Sequence, residues 1–166
     1  MKPLTLQELH NALHDAIEGR YCCSAWVTQG NPLFVGFDEK EMTSSESSAE
    51  RRCPYELEVW SSTWSVLRSG AMVASSSDVW EHAEAEVSRL VGLRADECRI
   101  DTDALGLSIE FESHVCLRVG PIWHSKHADA DAWTLRLPDG LYRSVRVNGE
   151  LYVVHETDPF PHTLDK

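Results

Sequence analysis

Two histidines and two aspartates crowd into one polar stretch late in the chain: His124, His127, Asp129 and Asp131. Imidazole and carboxylate groups are ligands for Zn, Mn or Fe, and their short spacing would let one loop wrap an ion. No Cys or Glu stands beside them at a diagnostic spacing. We therefore predict a solvated loop with no metal. The alternative is a small metal-dependent enzyme or metal-binding protein that uses His124, His127 and Asp129.

Other chemically suggestive patterns fall short of a catalytic site. His10 and His14 share one helix face, but Asn11 stands where an HExxH metalloprotease carries its general base. The sequence has no G-x-S-x-G elbow and no Gly-rich phosphate loop of a standard type. We therefore predict a protein with no catalytic residues and no cofactor, and not an enzyme.

The net charge of the chain restricts the classes of molecule that we expect as partners. The chain has 166 residues, and 27 acidic against 15 basic residues give a net charge of −12. Nucleic acid and anionic membranes both require Lys and Arg footprints, so neither is expected as a partner, whereas a basic protein is. The sequence also lacks an apolar run long enough to span a membrane and a secretory leader pattern. Five cysteines without framework spacing indicate reduced thiols, so we predict a cytoplasmic protein.

The residues predicted to meet a partner are acidic side chains of two loops and tryptophans beside turns. Exposed aromatic groups next to carboxylates are typical of protein-binding hot spots. We assign Trp26, Trp80 and Trp133 to apolar faces and hence to the core. The predicted partner-binding residues are Asp38, Glu39, Glu41, Glu46, Glu50, Trp60, Trp64, Trp123, Asp129 and Asp131.

Hydrophobic spacing supplies the elements that would position these residues. Apolar residues between Leu6 and Ile17 recur at helical spacing, and the same steps recur from Trp80 to Val91. Thr5 with Glu8 forms a capping-box pattern for the first helix. Alternating strand patterns follow each helix, and Asn148-Gly149 marks a hairpin turn.

The similar order of elements in both parts of the chain predicts an internal repeat. We predict an α+β fold of two fused helix-plus-antiparallel-meander halves with a pseudo-twofold relation, at residues 5–76 and 78–155. Residues 1–166 are expected to form a single compact domain.

The segments GLSIEF, AWTLRLPDG and VRVNGELYVV, between Leu105 and Glu156, are short strands ending in turns. This stretch resembles small bacterial immunity proteins found beside polymorphic toxins. The resemblance implies a cytosolic protein that binds a cognate toxin, such as a basic nuclease, and neutralises it by occluding its active cleft. It implies no particular site residues. Besides the metal-binding alternative, a self-associating adaptor or structural protein remains open.

Overall fold

The computed structural model describes residues 1–41, 53–121 and 130–155. These residues form two helices and twelve strands. The helices are α1 (Leu6–Ile17) and α2 (Trp80–Ser88). The strands are β1 (Lys2–Pro3), β2 (Tyr21–Val27), β3 (Leu33–Asp38), β4 (Tyr55–Val59), β5 (Trp64–Arg68), β6 (Ala71–Ser75), β7 (Ala95–Ile100), β8 (Leu107–Phe111), β9 (Val115–Val119), β10 (Asp131–Arg136), β11 (Leu141–Arg146) and β12 (Leu151–His155).

The strands pair antiparallel into two sheets. The large sheet has the order β1-β12-β11-β10-β4-β3-β2, and the small sheet has the order β6-β5-β9-β8-β7. One hydrophobic core contains residues of both sheets and of both helices. Within it, Phe37 of β3 stacks on Phe111 of β8 with 6.3 Å between ring centroids. The two sheets therefore face each other across a shared core.

Backbone hydrogen bonds join the two sheets where β2 and β7 begin. Cys22 N–H donates to the carbonyl of Leu93 at 2.8 Å, and Ala95 N–H donates to that of Arg20 at 2.8 Å. Helix α1 packs against β7, whereas α2 packs against β2. The capping box predicted for α1 is confirmed, since Thr5 and Glu8 cap each other's backbone N–H groups. No helix in the described ranges is long and apolar enough to cross a membrane.

The predicted α+β fold of two helix-plus-meander halves is wrong. The structure is mostly β, and neither part of the chain forms a sheet of its own. Strands β2 to β4 lie in the large sheet with β10 to β12, whereas β5 and β6 lie in the small sheet with β7 to β9. Leu57 and Leu135, which belong to different predicted halves, are direct neighbours on β4 and β10. Alternation identifies the buried face of a strand but not its pairing partner. The expected single domain over 1–166 stays a prediction.

The boundaries of the central helix also differ from expectation. The spacing predicts a helix from Asp78 to Val91, but α2 ends at Ser88 and has Val79 at its N-cap without a side-chain hydrogen bond. Asp78 instead accepts a hydrogen bond from the backbone N–H of Ser75 at 2.8 Å. This bond stabilises the turn before the helix, so the carboxylate serves the turn and not the helix end.

The distribution of tryptophans departs from the sequence expectation. Trp133 is buried as predicted, and Trp64, expected beside a turn, is also in the core at 2% exposure. Trp26 and Trp80, expected in the core, are 39% and 38% exposed. Trp64 opens β5, where its inward position continues the buried row of Val66. Its indole N–H donates to the carbonyl of Asn31 at 2.8 Å, so a turn-edge tryptophan closes the end of the core.

A β-bulge decides which cysteines point inward. The register of β2 against β3 shifts between Cys22 and Ser24. As a result, Cys22 belongs to the hydrophobic core, whereas Cys23 does not. Cys23 is disulfide-bonded to Cys53, with 6.3 Å between their Cα atoms. The expectation of five reduced thiols is wrong for this pair, because the bulge brings together two residues that are 30 apart in sequence.

Trp64 and Trp80 form a matched pair for testing the core. Each indole donates one hydrogen bond to a backbone carbonyl, but only Trp64 is buried. We expect Trp64→Ala to lower the free energy of unfolding by about 3–5 kcal/mol, as large core truncations do. We expect Trp80→Ala to cost about 1–2 kcal/mol, because less apolar area leaves water. Urea denaturation of both variants checks this, and equal losses would contradict the assignment of Trp64 to the core.

The disulfide predicts a thiol count. Alkylation of denatured, unreduced protein should modify three cysteines, namely Cys22, Cys98 and Cys116, and reduction should raise the number to five. Intact-mass spectrometry measures both numbers. Five modified thiols before reduction, in protein isolated without a reductant, would show that the bond does not form where the protein resides.

Candidate functional site

Of the acidic residues predicted to meet a partner, the structure describes Asp38, Glu39, Glu41 and Asp131. Asp38 ends β3, Glu41 is exposed, and Glu39 accepts a hydrogen bond from the Arg20 guanidinium at 3.3 Å. The predicted residues Glu46, Glu50, Trp123 and Asp129 lie outside the described residues, as do His124 and His127. Trp64 and Asp131 are 2% and 1% exposed. The expectation that these two side chains are available to a partner is therefore corrected.

Asp131 belongs to a buried polar cluster near the β1 edge of the large sheet. It accepts a hydrogen bond from the Tyr152 hydroxyl. Burial, followed by the neighbouring Asp131, raises the pKa of Tyr152 to about 12. The Arg146 guanidinium lies 4.5 Å from the centroid of the Tyr152 ring and pairs with Glu150 at 3.0 Å. These internal contacts stabilise the sheet and leave Asp131 unable to steer a partner.

An aromatic patch covers one end of the outer face of the large sheet. It consists of Trp26 on β2, Phe34 on β3 and Trp60 directly after β4. Trp26 stacks on Phe34 with 4.1 Å between ring centroids, and Trp60 meets Phe34 edge-to-face at 5.2 Å. Trp26 and Trp60 remain 39% and 42% exposed. Large aromatic groups held by each other and open to solvent are an arrangement that protein interfaces favour.

Glu58 lies beside this patch, on the same face. Strand register places it between Phe34 of β3 and Thr134 of β10. Its Oε2 atom accepts hydrogen bonds from the Trp60 indole N–H at 3.1 Å and from the Thr134 hydroxyl at 3.4 Å. Burial is the main cause that raises the pKa of Glu58 to about 7, and the like charge of Glu56 adds to it. A carboxyl group near half ionisation therefore lies beside the exposed rings at neutral pH.

The cation nearest in the strand register is engaged elsewhere. Arg136 lies opposite Glu56 on β10 and pairs with it at 3.6 Å. It also donates a hydrogen bond to the carbonyl of Cys53 at 3.1 Å. Among the described residues, no Lys, Arg or His group lies within ion-pair distance of Glu58. Glu58 therefore has no internal ion-pair partner there.

Helix α2 adds a second carboxylate beside the aromatic patch. Glu84 accepts a hydrogen bond from the backbone N–H of Val27 at 2.6 Å, and the Trp80 indole donates one to the Val27 carbonyl at 2.7 Å. Val27 follows Trp26 of the patch directly. The helix therefore pairs with the free edge of β2 at this point and places an exposed indole and a carboxylate near the rings.

The described residues include side chains that can bind a partner, whereas their free thiols are poor nucleophiles. Burial raises the pKa of the thiols of Cys22, Cys98 and Cys116, which disfavours the nucleophilic thiolate. No group of three or more His, Cys, Asp or Glu side chains suited to a metal occurs within the ranges the structure describes. The patch can bury rings against a partner and offer carboxylates to its cations.

Sequence reasoning found Trp60 but missed Trp26, Phe34 and Glu58. The sequence carries a signal, because Phe34 stands between the apolar Leu33 and Val35, and alternation along a strand directs Phe34 to the face opposite theirs. Two aromatic residues at outward positions of neighbouring strands would have marked the patch. Their adjacency, however, depends on the pairing of β2 with β3 and on the bulge in it.

The raised pKa of Glu58 makes stability depend on pH. Because the folded carboxyl binds its proton more tightly than the unfolded one, stability is greatest at low pH and falls as pH rises from the ordinary value of 4.5 to about 7. Between pH 5 and pH 8 we expect the wild type to lose about 2 kcal/mol relative to Glu58→Gln. Denaturant titrations at both pH values measure this difference.

The matched control is Glu110→Gln, an exposed position on the small sheet, which should keep the wild-type dependence because Glu58 is intact. The Trp60 indole N–H resonance should also shift with a midpoint near pH 7, and the midpoint should vanish in Glu58→Gln. Parallel pH profiles of the wild type and Glu58→Gln would contradict the assignment.

No family model, no curated protein and no solved structure matches this chain. Its function is therefore inferred from the aromatic patch and the charges around it.

Proposed function

We propose that this chain is a non-enzymatic binding protein that docks a basic protein partner on the aromatic patch of the large sheet. In keeping with the resemblance to immunity proteins, the partner would be a bacterial toxin, such as a nuclease, whose active cleft the chain occludes. The observation that carries the proposal is the pair of exposed indoles, Trp26 and Trp60, packed on the buried ring of Phe34 beside the carboxylate of Glu58.

The geometry of the rings supports a docking role. Two tryptophans with about two fifths of their surface exposed offer a large apolar area at one place. Their contacts with Phe34 restrain the side chains before binding, so that less rotamer entropy is lost when a partner covers them. Tryptophan is among the residues most enriched at energetic hot spots of interfaces.

Charge supports a basic partner over a second copy of this chain. The net charge of −12 attracts a cationic protein over long range and raises its association rate, whereas two copies repel each other. Near the patch, Glu58 and Glu84 provide carboxylates at short range. A toxin that acts on nucleic acid needs a cationic cleft, which this surface would complement. We place the complex in the bacterial cytoplasm, where the Cys23–Cys53 disulfide would have to resist reduction.

The two other functions have less support in the described residues. The metal-binding alternative depends on His124, His127 and Asp129, which are outside them. The adaptor alternative requires self-association on the patch, against the charge repulsion between copies. The adaptor alternative remains an outcome of the experiments that follow.

The proposal predicts selective loss of binding on removal of the rings. We expect the gene beside that of this chain to encode a toxin, and the probe is the C-terminal domain of that toxin, titrated calorimetrically with the full chain. We expect the double variant Trp26→Ala/Trp60→Ala to bind at least about 100-fold more weakly, because two hot-spot side chains are lost. The matched control Met72→Ala removes a side chain that is 65% exposed on β6 of the small sheet and should bind like the wild type.

Wild-type affinity in a double variant that unfolds as one cooperative unit would overturn the patch assignment. Absence of binding by the wild type would overturn the choice of partner. A dimer seen by light scattering that the double variant dissociates would establish the adaptor function instead. Addition of salt should slow association of the wild type with the toxin domain, and a salt-independent rate would remove the electrostatic part of the proposal.

A further inference from the structure

A cavity of about 290 Å³ lies beside the β1 edge of the large sheet, lined by Met1, Pro3, Arg146, Glu150, Leu151 and Tyr152. We propose that this cavity binds a small uncharged ligand that carries a carboxamide group and a short aliphatic tail. Strand β2, which carries Trp26, lies at the opposite edge of the sheet. The ligand site is therefore separate from the aromatic patch and independent of the partner proposed for it.

The Arg146 guanidinium forms the polar wall of the cavity. It lies over the Tyr152 ring, with 4.5 Å between Cζ and the ring centroid. A guanidinium is planar and directs its N–H groups outward in its own plane. Nη1 donates a hydrogen bond to the Glu150 carboxylate at 3.0 Å. Nε and Nη2 form a second edge, from which an arginine can donate two further hydrogen bonds.

This second edge is bound weakly by the protein. Nε of Arg146 is buried and has no hydrogen-bond partner among the described residues. Nη2 donates to the thioether sulfur of Met1 at 3.4 Å, and a thioether is a weak acceptor. Because a buried N–H group without a strong acceptor costs free energy, a carbonyl oxygen that reaches this edge would be stabilised there. Met1 also lines the cavity, so a ligand in it can displace the thioether.

The pairing of Arg146 with Glu150 favours a carboxamide over other carbonyl compounds. It sets hydrogen-bond donors and an acceptor side by side on the cavity wall. A carboxamide carries the complementary groups, namely a carbonyl oxygen and an NH2 group. The carbonyl would accept from Nε and Nη2 of Arg146, and the NH2 group would donate to Glu150. A ketone or an ester of the same size could make only the first of these contacts.

The charges around Arg146 favour an uncharged ligand. Burial lowers the pKa of Arg146, but interactions with Tyr152 and Glu150 outweigh it and raise the pKa above its ordinary value. Asp131 lies opposite Arg146 in the register of β10 and β11 and also acts on it electrostatically. The guanidinium is therefore charged and already faces two carboxylates. A ligand carboxylate would be the third, and its repulsion by the other two disfavours it.

The rest of the lining limits the ligand to a short apolar tail. Met1, Pro3 and Leu151 supply the apolar walls. The volume of about 290 Å³ is at the lower end of the range of roughly 300–1,000 Å³ that is typical of ligand pockets. Each methylene that leaves water in such a cavity raises the affinity about fourfold.

The first test uses butyramide as the probe. The full chain, isotope-labelled in its arginine side chains and methionine methyl groups, is titrated in NMR spectra. We expect saturable shifts of the Arg146 Nε–H and the Met1 methyl resonances. Butyramide should bind at least about fivefold more tightly than butyrate, which brings a like charge to the two carboxylates. It should bind about tenfold more tightly than acetamide, which lacks two methylenes.

The second test changes the charge of the cavity wall. The Glu150 side chain is 62% exposed, so Glu150→Gln should leave the fold intact. We expect this variant to lower the ratio of butyramide affinity to butyrate affinity about threefold, because one of the two carboxylates is removed. Glu110→Gln, at an exposed position on the small sheet, is the matched control and should keep the wild-type ratio.

The third test removes the planar edge or the space. Arg146→Lys keeps the charge but loses the fork of donors, and we expect it to bind butyramide at least about fivefold more weakly. Leu151→Phe fills the cavity while Arg146 is intact, and it should abolish the shifts even if Arg146→Lys does not fold.

Three results would overturn the inference. They are butyrate binding as tightly as butyramide, shifts that do not saturate in the wild type, and wild-type affinity for butyramide in a cooperatively folded Leu151→Phe protein. None of these measurements involves the toxin domain, so the proposed function is tested separately.

Discussion

The pairing of β4 with β10 is the constraint on which the rest of the structure depends. It joins strands from distant parts of the chain in the middle of the large sheet. On the inner face it places Leu57 beside Leu135 in the shared core, and on the outer face it places Thr134 beside Glu58. The same backbone ladder therefore sets both the packing and the candidate site. A slip by one residue would exchange the two faces and destroy both.

Close packing on the outer face adds a second constraint. A Cβ atom at Gly36 would lie 2.5 Å from the Cys53 sulfur and 2.5 Å from the Ser24 hydroxyl. Only glycine leaves room for the side chain of Cys53 to cross β3 and reach Cys23. The bulge at Cys23 and the absent side chain at Gly36 thus act together. They fix the relative position of β2 and β3, the strands that carry Trp26 and Phe34 of the aromatic patch.

The site combines groups whose environments are unfavourable in the free protein. Two indoles face water, and a carboxyl is held in a half-buried position beside another carboxylate. A sequence selected for stability alone would place polar, well-solvated groups on this sheet face. The free-energy cost of exposing two indoles and half-burying a carboxyl is consistent with a surface that a partner covers. Binding would bury the rings and provide a counter-charge.

The sequence by itself determined the local elements. The capping box at Thr5 and Glu8, the alternation in β3 and the hairpin turn at Asn148-Gly149 depend on interactions between near neighbours, and each is readable in order along the chain. The net charge is likewise readable from the sequence, because it is a sum over residues. The expectation of a basic partner depends on that charge.

Only the tertiary structure decided which strands are neighbours and which tryptophans are exposed. The sequence periodicity of β4 and β10 is the same whether they occupy equivalent places in two halves or pair directly, because alternation carries no information about partners. Trp26 stands between the apolar Ala25 and Val27, and Trp64 stands between the polar Thr63 and Ser65, yet Trp26 faces water and Trp64 fills the core. Burial is a property of long-range packing, and so is the raised pKa of Glu58.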